Sequence, residues 1–484
     1  MARPLHEPGV VIGGFRLDEL IHQGGMAMLW RVSRPGDTIP MLMKVPRIGE
    51  GADPAAIVGF EMEQMILPRL TGVHVPKFVA AGDFAAQAFL VMEAIDGETL
   101  LPRLGELPLH YDEVAALGVK IAAALDDLHR QHVIHLDVKP SNIMLRPSSE
   151  AVLLDFGLSH HDQLPDLMQE EFRVPFGTAP YMSPEQLRDI RNDPRSDIFA
   201  LGVLLYFFST GARPFGESER VRAMRRRLWR DPTPPRALRP HYPPWLQEIV
   251  LRCLEVEPGR RYPTAAQLAF DLSHPDQVML TQRSERLRRD GLATVLRRRF
   301  NTDLQASRPK PVAAQLSSAP IVAVAIDLGE GSAAINEALR VTAARMLATL
   351  PGARLACLNV LRQGRITIDT TLNEAGHNKH IERLVALRHW AQPLRLDEAR
   401  LTAHVLEAVD PAAAIVEFAA ANNVDHILIG ARYGSLMRKL LGSVSAKVAA
   451  EAACTVTVVR PSRLESSAVV PGDPRLDRGE TRDP

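Results

Sequence analysis

Several short stretches of the 484-residue chain carry residue types suited to handling phosphate. In VIHLDVKPSNIML, residues 133–145, Asp137, Lys139 and Asn142 fall between apolar runs. An aspartate accepts a hydroxyl proton, a lysine steadies a phosphate, and an asparagine ligates a metal. In LLDFGLS, residues 153–159, Asp155 ends an apolar strand, a position suited to holding Mg²⁺. Lys44 stands alone in the apolar strand MLMKV, where an ammonium is costly to bury without a partner. Glu63, in a helix that begins near Ala55, offers the carboxylate. Gly24 and Gly25 lie in the turn IHQGGMAML, Ile21 to Leu29, where glycines let backbone N–H groups approach phosphates closely. Taken singly, these last three are also what a plain hairpin, a strand-edge lysine and any helix would show. Their order, followed by FGTAPYMSPEQ at 176–186, SDIFALG at 196–202 and Arg261 in PGRRY, leaves little room for chance.

The elements that must position these residues follow from hydrophobic period. Residues 11–276 begin with strand-like stretches and turn mostly helical from about residue 110, as in DEVAALGVKIAAALDDLHRQ. This pattern predicts a small β-rich lobe and a larger α-rich lobe. Residues 277–318 hold nine basic residues against three acidic and end in RPKPVAAQLSSAP, a linker composition. Residues 319–462 alternate apolar strands with helical patterns, which predicts a buried parallel sheet with crossover helices. Residues 1–10 and 463–484 are expected to be tails, the second with the composition of a disordered segment.

Composition bounds the class. The chain has 57 Lys+Arg against 57 Asp+Glu, with 46% apolar and 24% charged residues. This is globular composition, not that of a disordered, collagenous or coiled-coil chain. Zero net charge argues against a surface coated uniformly for nucleic acid or membrane. Cys253, Cys357 and Cys454 are too scattered for a disulfide framework or a metal site and are expected to be buried. The N-terminus lacks the apolar core of a signal peptide, and the longest apolar run, Phe199 to Phe208, falls short of the about 20 residues a bilayer needs. A cytoplasmic, soluble protein is expected.

With these motifs in place, residues 11–276 resemble the eukaryotic-like Ser/Thr protein kinases of bacteria, over the full length of that family's catalytic domain. The resemblance implies an ATP-dependent phosphotransferase acting with Mg²⁺ on protein hydroxyls. It implies that Lys44 holds the α/β-phosphates and pairs with Glu63, and that Asp137 is the catalytic base. Lys139 contacts the γ-phosphate, and Asn142 and Asp155 bind Mg²⁺. Ile21, Gly24, Gly25 and Leu29 cover the nucleotide, Met92 is the gatekeeper, and Glu93 and Ala94 take the adenine edge. Glu185 pairs with Arg261, and Asp197 braces the catalytic loop. Lys139 and Thr178 are of the Ser/Thr type rather than the Tyr type. The pattern departs from G-x-G-x-x-G at His22 and Ala27, and Leu42 narrows the adenine roof. The residue before the catalytic aspartate is Leu136, where the family's arginine reads an activation-loop phosphate. Between Phe156 and Gly177 the sole hydroxyl residue is Ser159. Activity is therefore expected not to need phosphorylation there. A pseudokinase scaffold or a nucleotide sensor with little turnover is the alternative.

Residues 319–462 are similar to the universal stress protein family, an α/β fold with a doubly wound parallel sheet. Asp327 matches the family's strand-end aspartate. Gly430, Gly434, Gly442 and Ser443 give G-x3-G-x7-G-S, against G-x2-G-x9-G-[ST] in nucleotide-binding members. Glycines after a strand and a Gly-Ser opening a helix form an anion site. ATP binding is one reading of this segment. A fold-stabilising loop in a regulatory module that forms homodimers is the other.

Two basic stretches remain. Eight arginines between Arg220 and Arg239 accompany one acid, Asp231. They read either as a solvated face or as a docking surface for an acidic partner. In 277–318, Leu292, Val295, Leu296 and Phe300 recur at helical spacing beside Arg297 to Arg299. Packing between domains is favoured there over peripheral membrane contact. Nucleic acid is not expected, because no aromatics interleave the arginines.

Overall fold

The computed structural model describes residues 7–24, 27–47, 54–82, 87–172, 175–216, 224–300, 312–363, 378–397, 400–431 and 443–461. Gly25, Gly434, Gly442, Arg220, Arg222 and both tails' far ends lie outside the described residues. The chain divides into two compact units, Met1–Ile321 with Leu350–Arg354, and Val322–Thr349 with Leu355–Pro484.

The first unit opens with β1 (Val11–Ile12), β2 (Phe15–Gln23), β3 (Ala27–Ser33), β4 (Met41–Pro46), β5 (Phe78–Gly82) and β6 (Phe89–Glu93). They form one antiparallel sheet in the order β1-β2-β3-β4-β6-β5. The two-residue period of β4 buries Met41, Met43 and Val45 with Trp30 and Phe15, and turns Leu42 and Lys44 to the other face. Helix α1 (Pro54–Ile66) follows β4 and buries Val58, Phe60, Met62 and Ile66.

The larger lobe is helical. Helix α2 (Tyr111–Arg130) buries Val114, Leu117, Ile121, Leu125 and Leu128 on one stripe. Its Gly118 lets neighbours close in, since a Cβ there would stand 2.8 Å from both Leu205 and Leu272. Short strands carry the site: β7 (Glu98–Thr99), β8 (Val133–Ile134), β9 (Ile143–Leu145), β10 (Ala151–Leu153) and β11 (His160–His161). They pair as β10-β9-β7 and β11-β8. Helices α3 (Leu167–Glu171), α4 (Arg195–Thr210), α5 (Pro244–Cys253) and α6 (Ala265–Ser273) complete the lobe, with α4 almost wholly buried.

The basic stretch expected as a linker contributes α7 (Gln282–Glu285), α8 (Leu292–Phe300) and α9 (Val312–Ser317) to this unit. Three of its arginines are paired with acids of this unit. Arg283 pairs with Glu248 at 3.1 Å and Glu255 at 2.9 Å, and Arg286 and Arg298 meet Asp231 at 2.7 and 2.8 Å. Of the other arginine-rich stretch, Arg227 is buried, donates to the Met182 carbonyl at 2.6 Å and lies over the Phe215 ring. Burial lowers its pKa to about 10. Arg239 donates to the Ser209 carbonyl and lies over Tyr111. These two serve packing, while Arg225, Arg226 and Arg230 are exposed.

The second unit holds a five-stranded sheet, ordered β14-β13-β12-β15-β16. Its strands are β12 (Ile321–Ala325), β13 (Arg354–Arg362), β14 (Leu401–Ala408), β15 (His426–Gly430) and β16 (Thr455–Val459). The pairs β12–β15, β13–β14 and β15–β16 are parallel. Helices α10 (Ala333–Thr349), α11 (Lys379–Ala391), α12 (Pro411–Ala421) and α13 (Ser443–Glu451) connect them. This is the doubly wound α/β arrangement the sequence predicts. Cys253 and Cys357 are buried and Cys454 is partly so. Among the described residues, no helix is long and apolar enough to cross a membrane.

Candidate active site

The residues read from sequence as one constellation converge in the first unit. Lys44 Nζ lies 2.5 Å from Glu63 and 3.0 Å from Asp155. Glu63 is buried in α1 and also accepts the Phe156 N–H at 3.4 Å. Burial opposes the Lys44 charge, but Asp155 and Glu63 outweigh it and raise its pKa well above the ordinary lysine value. The Lys44 ammonium in turn holds Asp155 down at about 2. Burial pushes Glu63 upward, against the pull of Lys44.

Two glycines make this approach geometrically available. A Cβ on Gly59 of α1 would stand 3.2 Å from the Gly157 carbonyl oxygen. Sequence reading passed over Gly59. A glycine inside a helix is the signal that could have found it, because it weakens the helix without an evident local gain.

Asp137 sits in a tight polar cluster. Its Oδ1 accepts the Thr178 hydroxyl at 2.7 Å and the Thr178 N–H at 3.1 Å. Its Oδ2 lies 2.7 Å from Lys139 Nζ and 3.0 Å from Asn142 Nδ2. Lys139 also donates to the Thr178 hydroxyl at 2.9 Å. The β9–β10 hairpin places Asn142 beside Asp155, and the Leu154 N–H closes the gap by donating to the Asn142 carbonyl at 2.9 Å. Asn142 commits its Nδ2 to Asp137, and its Oδ1, which accepts the Ser141 hydroxyl at 3.2 Å, keeps a second lone pair for a cation. Asp155 keeps a side chain 48% exposed to the cleft. Both are hard oxygen donors, a set that fits Mg²⁺.

Asp197, in the first turn of α4, accepts the His135 and Leu136 N–H groups at 2.8 Å each and meets His129 Nε2 at 2.9 Å. Glu185 and Arg261 form a buried bidentate pair at 2.5 and 2.8 Å. Both arrangements are those expected from the resemblance.

The cleft roof is less regular. The β2–β3 ladder shifts register between Leu20 and His22, so Ile21 lies at a bulge and is exposed, while Leu29 is half-buried opposite Lys44. The Gly24 N–H donates to the Ala27 carbonyl, and Arg47 donates to the Gly24 carbonyl at 3.2 Å. Met92 pairs with Leu42 across β4 and β6. The Glu93 and Ala94 N–H groups donate to the Lys77 and Pro40 carbonyls, both at 2.9 Å. The Ala94 N–H is thus spent within the sheet, which sequence did not reveal. Glu93 also holds Arg146 through both guanidinium nitrogens at 2.7 and 3.1 Å.

In the second unit, Asp327 and Gly430 line a cavity of about 380 Å³ with Ile335, Asn359, Arg362 and Val444. It opens at the carboxyl ends of the strands, where ligands bind in open α/β sheets. Asp327 Oδ1 accepts the Gly329 N–H at 2.9 Å. Gly430 is bare for packing, since a Cβ there would meet Ile335 at 2.2 Å. Ser443 opens α13, as read from sequence.

Both units are similar to known families. Residues 41–272 match the protein kinase domain, and residues 320–460 match the universal stress protein family. Serine/threonine-protein kinase pkn3 of Myxococcus xanthus is 32% identical over 277 residues, 54% of this chain and 50% of that protein. Serine/threonine-protein kinase PknH of Mycobacterium tuberculosis is 31% identical over 311 residues, 63% of this chain and 47% of that protein. The chain thus spans about half the length of these relatives. The solved kinase domain of Mycobacterium tuberculosis PknI matches 56% of this chain and 99% of its own length, at 24% identity and a TM-score of 0.44. The chain carries a protein kinase domain followed by a domain of the universal stress protein family.

Proposed function

We propose that residues 11–276 form an active Ser/Thr protein kinase, transferring the γ-phosphoryl group of ATP to protein hydroxyls, and that residues 319–462 form a regulatory module. The observation that carries this is the Asp137 carboxylate. It is buried, yet every contact it makes is to a donor suited to a transfer site: Thr178, Lys139 and Asn142. A scaffold that only binds nucleotide has no need of that cluster.

The geometry supports the following roles. Lys44, steadied by Glu63, holds the α/β-phosphates. Asp137 orients the substrate hydroxyl and accepts its proton, and Lys139 steadies the transferring group. Thr178 bridges Asp137 and Lys139 and so fixes both. A divalent cation held by Asn142 and Asp155 would neutralise charge on the phosphates. Because the Ala94 N–H is spent on Pro40, the adenine-edge contact falls to the Glu93 carbonyl. Phosphoamino-acid analysis after incubation with γ-labelled ATP and Mg²⁺ tests the reading. Phosphoserine and phosphothreonine are expected, and label in phosphotyrosine alone would contradict it.

For the second domain, the cavity beside Asp327 supports nucleotide binding. Isothermal titration of the whole chain is expected to show two ATP per chain, reduced to one by Asp327→Ala. One ATP in both would leave the kinase cleft as the single site.

A further inference from the structure

Leu136 stands between His135 and Asp137 with φ +62°, a left-handed conformation that is strained for a leucine. Such a residue persists where its surroundings over-determine it. Three supports come from the large lobe. Asp197 accepts the His135 and Leu136 N–H groups, and the Gln186 side chain donates to the Leu136 carbonyl at 2.7 Å. The fourth comes from α9, in the stretch that sequence marks as a linker. Leu136 is 3% exposed and forms an apolar cluster with Ile134 and Val312, against which Leu316 packs. Val312 is fully buried.

Polar contacts fix the same helix in place. The Val312 N–H donates to Asp162 Oδ2 at 2.7 Å, and Gln315, itself buried, donates to the Pro263 carbonyl at 3.0 Å. Asp162 directly follows β11, whose His160 pairs with Ile134 of β8, and its own N–H donates to the His132 carbonyl at 3.0 Å. Helix α9 therefore grips both the strand leading into His135–Leu136–Asp137 and the start of the activation segment. A leucine at position 136 has no charge with which to read a phosphate. It offers instead an apolar face, and Val312 covers it.

We propose that α9 is a built-in positioning element for phosphoryl transfer. Val312 seated on Leu136, with its N–H held by Asp162, fixes the turn that carries Asp137, so that the loop is set by this chain's own C-terminal extension rather than by a phosphate. The proposal rests on the kinase reading above and is tested so that the two can fail separately.

Full-length chains carrying Val312→Asp and Val312→Ile are compared with wild type. A carboxylate expels α9 from the apolar contact, whereas isoleucine keeps it. Val312→Asp is expected to lower kcat roughly tenfold or more while the ATP dissociation constant stays within about twofold. Amide exchange at residues 133–138 should speed up, and Val312→Ile should keep wild-type kcat. Unchanged kcat in Val312→Asp, with fast exchange at 312–317 showing α9 released, overturns the proposal. So does a raised kcat, which would make α9 an inhibitory cap. If Val312→Asp does not fold, Val312→Ala is read by the same criteria. If wild type transfers no phosphate, the kinase reading fails, and exchange at 133–138 alone decides: faster in the variant supports the positioning role, unchanged overturns it.

Discussion

Gly59 in α1 and Gly157 after Asp155 pass backbone to backbone, so that a Cβ on either would stand 3.2 or 3.1 Å from the other's carbonyl oxygen. This approach brings Glu63 within 2.5 Å of Lys44 and within reach of the Phe156 N–H. Gly59→Val should push α1 away and break that contact. The expected result is a loss of kcat/KM of about 100-fold, since misplacement by about 1 Å costs that much. Steady-state kinetics checks it. Wild-type kcat/KM in a folded variant would show the approach to be dispensable.

Lys44 and Asp155 couple the site to pH. Asp155 titrates at about 2 in the folded chain, below its unfolded value. Its pairing therefore stabilises fully above about pH 4 and is lost as pH falls toward 2. The Lys44 pKa is raised, so its contribution is present below its unfolded value of about 10 and is lost only in strong alkali. Lys44→Met removes the pair. The gap in urea-unfolding free energy between wild type and variant should be widest near neutral pH and narrow as pH falls from about 5 toward 2. A gap that ignores acid would contradict the pairing.

Glu185 and Arg261 form a pair taken wholly out of water. Arg261→Ala leaves a buried carboxylate and should destabilise the chain by about 3–5 kcal/mol. Glu185→Gln with Arg261→Met should recover part of that. Denaturant unfolding of both variants distinguishes this from a surface pair, for which the single change would cost about 1 kcal/mol or less.

The activation segment offers no accessible hydroxyl between Phe156 and Gly177. Ser159 is fully buried and donates to the His135 carbonyl at 3.2 Å. Treatment with a phosphatase is therefore expected to leave the transfer rate unchanged. A phosphate mapped between Leu158 and Phe176, whose removal abolished activity, would overturn this.

What was legible in the sequence was what chemistry dictates locally. Asp137, Lys139 and Asn142 stand within one loop, and the hairpin that carries Asn142 to Asp155 is short, so order and spacing alone bring them together. The apolar strands of the second domain announce a parallel sheet for the same reason. What stayed hidden depends on contacts between distant segments. Gly59 has meaning only against Gly157. Arg227 and Arg239 look like a charged face until Met182, Ser209, Phe215 and Tyr111 are placed around them. The Ala94 N–H looks free until Pro40 accepts it. Gly430 reads as part of an anion site, yet Ile335 already accounts for its missing side chain. Val312 reads as linker, and only the fold sets it on Leu136.

The central claim is that the Asp137 cluster transfers phosphate rather than merely decorating a nucleotide-binding cleft. Nucleotide affinity and phosphoryl transfer measured side by side on wild type and Asp137→Asn test it most directly. Equal ATP affinity with transfer reduced about 100-fold or more in the variant is the result predicted. Equal incorporation in both proteins, or none in either, would contradict it.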